Sequence, residues 1–144
     1  MKNGLKKKTL ELAIINFFSV YGQRGVLIEN KFLTYISILE NYHKNHIDKN
    51  GYLKTRLEYL LNESSLALHF KKMDKYSERL KTTRNYHAHL EEKHKEKSLD
   101  SEEILKTNYL LEFVIREIFL REIGIDHKAL IPHNVERYII ELNN

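Results

Sequence analysis

The sequence predicts an all-α bundle of five to six helices, and two observations carry that expectation. Five glycines and one proline in 144 residues are too few for the many turns of a β-rich domain of this length. The apolar residues also recur at three- and four-residue intervals, the spacing of a helix that buries one face.

The first helix is expected over Leu5–Phe18, with a basic Lys6-Lys7-Lys8 face. "YGQRG" at 21–25 reads as a turn. In "NKFLTYISILENYHKNH", Phe32, Tyr35, Ile36, Leu39 and Tyr42–His43 fall at helical spacing. "DKNG" at 48–51 breaks the chain. "YLKTRLEYLLNESS" then carries a stripe of Leu53, Leu57, Leu60 and Leu61, and Ser64 or Ser65 is placed to cap the next segment. Residues 66–90 are expected to form one helix, with Leu66, Phe70, Met73 and Leu80 on or near one face. A charged connector runs from Glu91 to Glu103, and Asp100 or Ser101 with Glu103 close behind marks a helix start. Residues 102–123 form the longest helix. Its apolar residues go nearly all the way round, so it is either central or buried against a second protomer. Gly124 ends it, and a last helix runs from about Pro132 to Leu142.

At this length one domain is expected over residues 1–144. It divides into an N-terminal helix and turn (1–25), a core (26–125) and a C-terminal helix (126–144). Hydrophobic residues make up 42% and charged residues 31%, a globular composition. No apolar run approaches the ~18 residues of a membrane span, and "YLLEFVIREIFL" at 109–120 is broken by Glu112, Arg116 and Glu117. The N-terminus mimics a signal peptide, but Glu11 and Asn16 interrupt its apolar part. The expectation is a cytoplasmic protein with no membrane partner. There is no cysteine, which removes disulfides, thiolate nucleophiles and cysteine-based zinc sites. The net charge of +4 fits a polyanionic partner without requiring one.

The chemistry concentrates in "KTTRNYHAHLEEKHK" at 81–95. Arg84 and His89 are five apart, which on a helix rotates them by about 140°. A shared site then needs a helix end between them or a second chain. Asn85 and His89 share a face, as do Arg84 and His87. Metal-free scission of a phosphodiester needs a base for the 2′-hydroxyl proton, an acid for the leaving oxygen and fixed positive charge for the phosphoryl oxygens. Histidine serves as base or acid near neutrality, and arginine matches phosphate oxygens with a planar fork. Only RNA carries the internal nucleophile.

"RNYHAH" at 84–89 resembles the Arg-x4-His signature of HEPN ribonucleases, with Asn directly after the Arg. "KFLTYISILENYHKNH" resembles the first core helix of the ApeA-like HEPN branch, and "LEFVIREIFLREIGI" the helix that follows its motif. The likeness covers roughly residues 30–125. It implies a helical bundle that pairs as a homodimer, bringing two motifs into one cleft that cuts RNA without metal or cofactor and leaves a 2′,3′-cyclic phosphate. It further implies a toxin or anti-phage effector of abortive infection. Carried onto this chain, Arg84 and His89 take the catalytic positions and Asn85 the supporting one. His89 is then base or acid, Arg84 stabilises the phosphorane-like transition state, and Asn85 orients the site. His87 and Tyr86 are candidate supporting residues. Lys72, Lys75 and Lys81, with Lys71, are candidates for steering RNA. The expected partners are RNA, tRNA among them, a second copy of the chain, and an antitoxin or N-terminal regulatory domain. ApeA-like proteins usually carry a larger region ahead of this domain, so the chain reads as the C-terminal part of a longer protein or a stand-alone relative.

Other readings compete. Arg84 by itself is a surface ion-pair partner for Glu78, Glu91 or a neighbouring helix. His87, His89, Glu91, Glu92 and His94 number enough for a metal, but residues two apart on a helix differ by about 200°, and no metal site is expected. His43 and His46 are expected at a solvated helix end, where cations meet the negative pole. His69, His127 and His133 read as isolated polar residues. A catalytically inactive HEPN-like dimerisation or ligand-binding module is the second functional reading, and a helical DNA-binding protein the third; no base-reading basic edge is visible for the latter.

Overall fold

The computed structural model describes residues 2–125 and 131–143. Six α-helices come in order: α1 (Lys2–Val20), α2 (Ile28–His46), α3 (Leu53–Glu63), α4 (Met73–His89), α5 (Ser101–Glu122) and α6 (His133–Leu142). There is no strand among the described residues, so the all-α expectation holds. His127 lies outside the described residues.

Helix α2 is the hub. It packs on α5 most extensively and also touches α1, α3 and α4, while α3 pairs with α4 and α6 with α5. The reason is in the apolar spacing. Phe32, Tyr35, Ile36, Ile38 and Leu39 put a broad buried stripe on α2, and α5 answers with Ile104, Leu110, Leu111, Phe113, Val114, Ile115 and Ile118. Most of the wide apolar surface of α5 is therefore spent inside the chain, with Leu105, Tyr109 and Ile123 left exposed. Helix α1 is anchored chiefly by Phe17, which is fully buried. Its ring sits 5.7 Å from Tyr35 and 5.6 Å from Phe119, the latter edge-on.

Two polar bonds reinforce the α2–α5 contact. Tyr35 donates to Glu112 at 2.7 Å, and Tyr42 donates to Glu122. Burial, then the carboxylate beside each phenol, pushes both tyrosines well above their usual range. The start of α5 is set locally. Asp100 accepts from the Glu103 N–H at 2.8 Å and Glu103 accepts from the Asp100 N–H at 3.2 Å, a complete capping box.

One expected element differs. The helix expected over 66–90 begins only at Met73; Ala67–His69 is a single 3-10 turn, and Phe70 and Lys72 leave helical geometry. The cause is tertiary. Glu117 of α5, itself buried, accepts the Ser65 N–H at 2.9 Å and also the Ser65 hydroxyl. Ser64 accepts the Leu66 N–H at 3.3 Å. These bonds hold the chain in a turn that drives Leu66 into the core and leaves Leu68 in solvent, an outcome helix propensity alone does not foresee.

Candidate active site

The last two turns of α4 carry the motif. Buried Tyr76, Ser77, Leu80, Thr82 and Thr83 seat the helix. Tyr76 shares a 2.7 Å hydrogen bond with Thr107 of α5. Arg79 donates to both Glu103 oxygens, at 2.8 and 3.1 Å. The same carboxylate that completes the α5 cap thus ties α5 to α4. Thr83 does a second joining job. Its hydroxyl donates to the Arg79 carbonyl at 2.7 Å and accepts the Leu99 N–H at 2.8 Å, stapling the connector onto α4 just ahead of the motif.

Arg84 is half-buried between α4 and α2. Its Nη1 donates to Asn85 Oδ1 at 3.0 Å, and its Nη2 lies 3.6 Å from Glu40 Oε1 of α2. Among the candidate ion-pair partners, a neighbouring helix supplies the actual one. A guanidinium has five N–H donors; one is committed to Asn85 and the Glu40 contact is a longer ion pair, so others remain open. His89 is exposed and is the last residue of α4. Leu90 follows at φ 52°, in the left-handed region, with its N–H on the Tyr86 carbonyl at 2.7 Å. No helix end intervenes between residues 84 and 89. They stay on one regular helix, about 140° apart, with Arg84 turned to α2 and His89 to solvent. One chain alone does not bring the two onto a single phosphate.

Tyr86 and His87 fall on the flank between the two, each about 60° round the helix from His89 and Arg84 respectively. Their rings meet edge-on at 4.9 Å and line a cleft with Arg79, Glu29 and the 95–101 segment. Tyr86 is half-buried rather than packed into the core. The lysines depart from a single basic track. Lys71 and Lys72 lie ahead of α4, and Lys81 pairs with Glu78 at 2.8 Å. Lys75 is exposed and, fourteen residues from His89, falls about 40° from it around the helix.

His43 corrects the solvated-end reading. It is buried, with its Nδ1 3.0 Å from Arg56 Nη1 and its ring edge-on to Tyr59. Arg56, buried as well, donates to the Asp48 and Lys49 carbonyls at 2.7 and 3.0 Å and so closes the 48–51 turn. Desolvation, followed by the Arg56 charge, lowers the His43 pKa. His46 stacks on Tyr42 and meets Thr9 at 3.2 Å. His69 sits 3.8 Å from Glu136, and His94 is 3.0 Å from Glu91. Among the described residues no group of three histidines or carboxylates is placed to hold a metal ion, and no helix is long and apolar enough to cross a membrane.

Glu40, Arg79, Thr83 and Glu103 support the motif and were not singled out for it from sequence. Only Glu103 carried a signal, as the partner in the capping box. Residues 33–129 match the family model described as Apea-like HEPN. That span runs from within α2 through α5 and includes the whole 84–89 stretch. No curated protein and no solved structure matched the chain.

Proposed function

Because the chain belongs to the Apea-like HEPN family, a family that suggests a nuclease-like or defence role, we propose that it is a metal-independent endoribonuclease acting as a homodimer in anti-phage defence or as a toxin. The observation that carries this reading is the pose of Arg84 and His89 on one unbroken helix. The guanidinium is oriented by Asn85 and Glu40, and the imidazole stands free at the helix end. Two such helices facing each other supply what one lacks, with an arginine of one protomer beside a histidine of its partner.

In that cleft His89 takes the proton from a ribose 2′-hydroxyl as its oxygen attacks phosphorus. The P–O5′ bond breaks, and the partner's imidazole protonates the leaving 5′-oxygen. The products are a 2′,3′-cyclic phosphate and a 5′-hydroxyl. Arg84 neutralises the charge gathering on the equatorial oxygens, with Asn85 holding its plane. Lys75 extends positive charge along the His89 side of α4.

The test is RNA cleavage in EDTA. Wild-type protein should leave cyclic-phosphate ends, and His89→Ala should abolish cutting with the dimer intact. Mixing Arg84→Ala with His89→Ala should restore only the fraction of activity that one imidazole supports, because a mixed dimer keeps one arginine and one histidine as base but lacks the second imidazole that protonates the leaving oxygen. Cleavage retained by His89→Ala overturns the assignment. A stable dimer that cuts no tRNA, mRNA or rRNA would instead favour a dimerisation module, in which Glu40 simply neutralises Arg84.

A further inference from the structure

Beside the motif, on the Tyr86–His87 flank of α4, lies a cleft of about 540 Å³. That is within the size range of small-molecule sites. Its lining is organised. Leu99 and Ile104 are among its lining residues but, being almost fully buried, offer it little apolar surface. Tyr86 and His87, packed edge-on against each other, provide aromatic surface. Four carboxylates (Glu29, Glu96, Asp100, Glu103) oppose two cations (Arg79, Lys95), an excess of negative charge that repels a phosphate. Arg79 is committed to Glu103 and to the Ser98 carbonyl, and Asp100 to the α5 cap. Glu29, from the first turn of α2, joins in none of these bonds and is half-buried. A largely polar cleft with an aromatic pair and a half-buried carboxylate suits a flat heterocycle with hydrogen-bond donors on its edge.

We propose that this cleft is a nucleobase pocket that selects guanine next to the scissile linkage, with Tyr86 as the stacking wall and Glu29 reading the base edge. The proposal deepens the nuclease reading and takes its substrate class from it. Unstacked RNA bases are commonly read by aromatic stacking plus hydrogen bonds to their Watson–Crick edge. Guanine alone presents two adjacent N–H donors there, from N1 and the 2-amino group, which a carboxylate accepts as a pair. Adenine and cytosine set one amino group beside an acceptor, and uracil sets one N–H between two carbonyls. Lys95, also in the lining, supplies a donor for guanine O6. Position fits as well, since Tyr86 is three residues from His89, about 4.5 Å along the helix axis.

The test titrates 3′-GMP, 3′-AMP, 3′-CMP and 3′-UMP into the whole chain, following the His87 ring protons by NMR. The expected result is tightest binding of 3′-GMP with a shift at His87 and none at His69. Glu29→Gln should cut 3′-GMP affinity about tenfold or more, bringing it level with the others. Tyr86→Leu should weaken all four. Thermal melts confirm that both variants fold. Equal binding of the four nucleotides by wild type, or 3′-GMP affinity unmoved by both variants, overturns the pocket. Mapping of cleavage ends separates the two ideas. Selective 3′-GMP binding without cleavage sustains the pocket and removes the nuclease. Cleavage without guanosine preference, with equal binding, removes the pocket alone.

Discussion

Glu40 on α2 and Arg84 on α4 stand 3.6 Å apart, both about one-third exposed. A pair so open contributes little to stability, and it lies beside the Asn85 bond that orients the guanidinium. Glu40→Gln should therefore leave the unfolding free energy within about 1 kcal/mol of wild type. In the proposed nuclease it should lower single-turnover cleavage about tenfold, through loss of preorganisation rather than of RNA affinity. Urea denaturation and rapid-quench kinetics on one preparation check both halves. Faster cleavage would identify Glu40 as a competitor of the phosphate instead.

Thr83 makes a different kind of contribution. Its fully buried hydroxyl satisfies the Leu99 N–H at 2.8 Å. Thr83→Val keeps the shape and leaves that amide without a partner. The expected cost is about 1–3 kcal/mol, read as a lower urea midpoint with an unchanged slope. The Leu99 amide should also lose protection in hydrogen exchange.

What was legible in the chain was local. Leu53, Leu57, Leu60 and Leu61 were spaced for burial, and all four are buried. Asp100 and Glu103 announced the α5 start three residues apart. The 84–89 motif was readable because its members are contiguous. What was not legible depends on distant partners. Ser65 is bound by Glu117, 52 residues away, and this turns 67–69 out of the expected helix. His43 is covered by Arg56, which folds back on it to close a turn. Nothing adjacent in sequence marks Glu40 as the partner of Arg84. Periodicity reports the face a residue occupies, and does not report which polar group waits across the interface.

Acid should loosen this fold in a defined window. Desolvation, then the Arg56 charge, lowers the His43 pKa, and desolvation lowers that of His46. A histidine whose folded pKa is depressed binds more protons when unfolded. Its share of stability is complete above the unfolded value, about 6.5, and is lost as pH falls through the folded one. Glu112, raised by burial, acts in the opposite sense. The urea midpoint should thus drop between pH 7 and pH 5.5. His43→Gln, which keeps an acceptor for Arg56 and cannot titrate, should flatten part of that slope. An identical slope in the variant would remove His43 from the account.

Leu90 closes α4 at φ 52°, the only non-glycine residue with positive φ among the described residues. For a residue with a Cβ this conformation costs about 1–2 kcal/mol, and glycine is the usual occupant at a helix end. The side chain is 75% exposed, so little packing is lost on its removal. Leu90→Gly should then stabilise the fold by about 1 kcal/mol, after allowing for glycine's freer unfolded chain. The neighbour is His89, the proposed acid or base, and strain held beside such a group commonly serves to aim it. A freer hinge at residue 90 should widen the range of His89 poses and reduce cleavage several-fold while the melting temperature rises. The two changes moving in opposite directions would mark the left-handed leucine as a positioning device. A stabilised variant with full cleavage would leave it as local strain with no bearing on the chemistry.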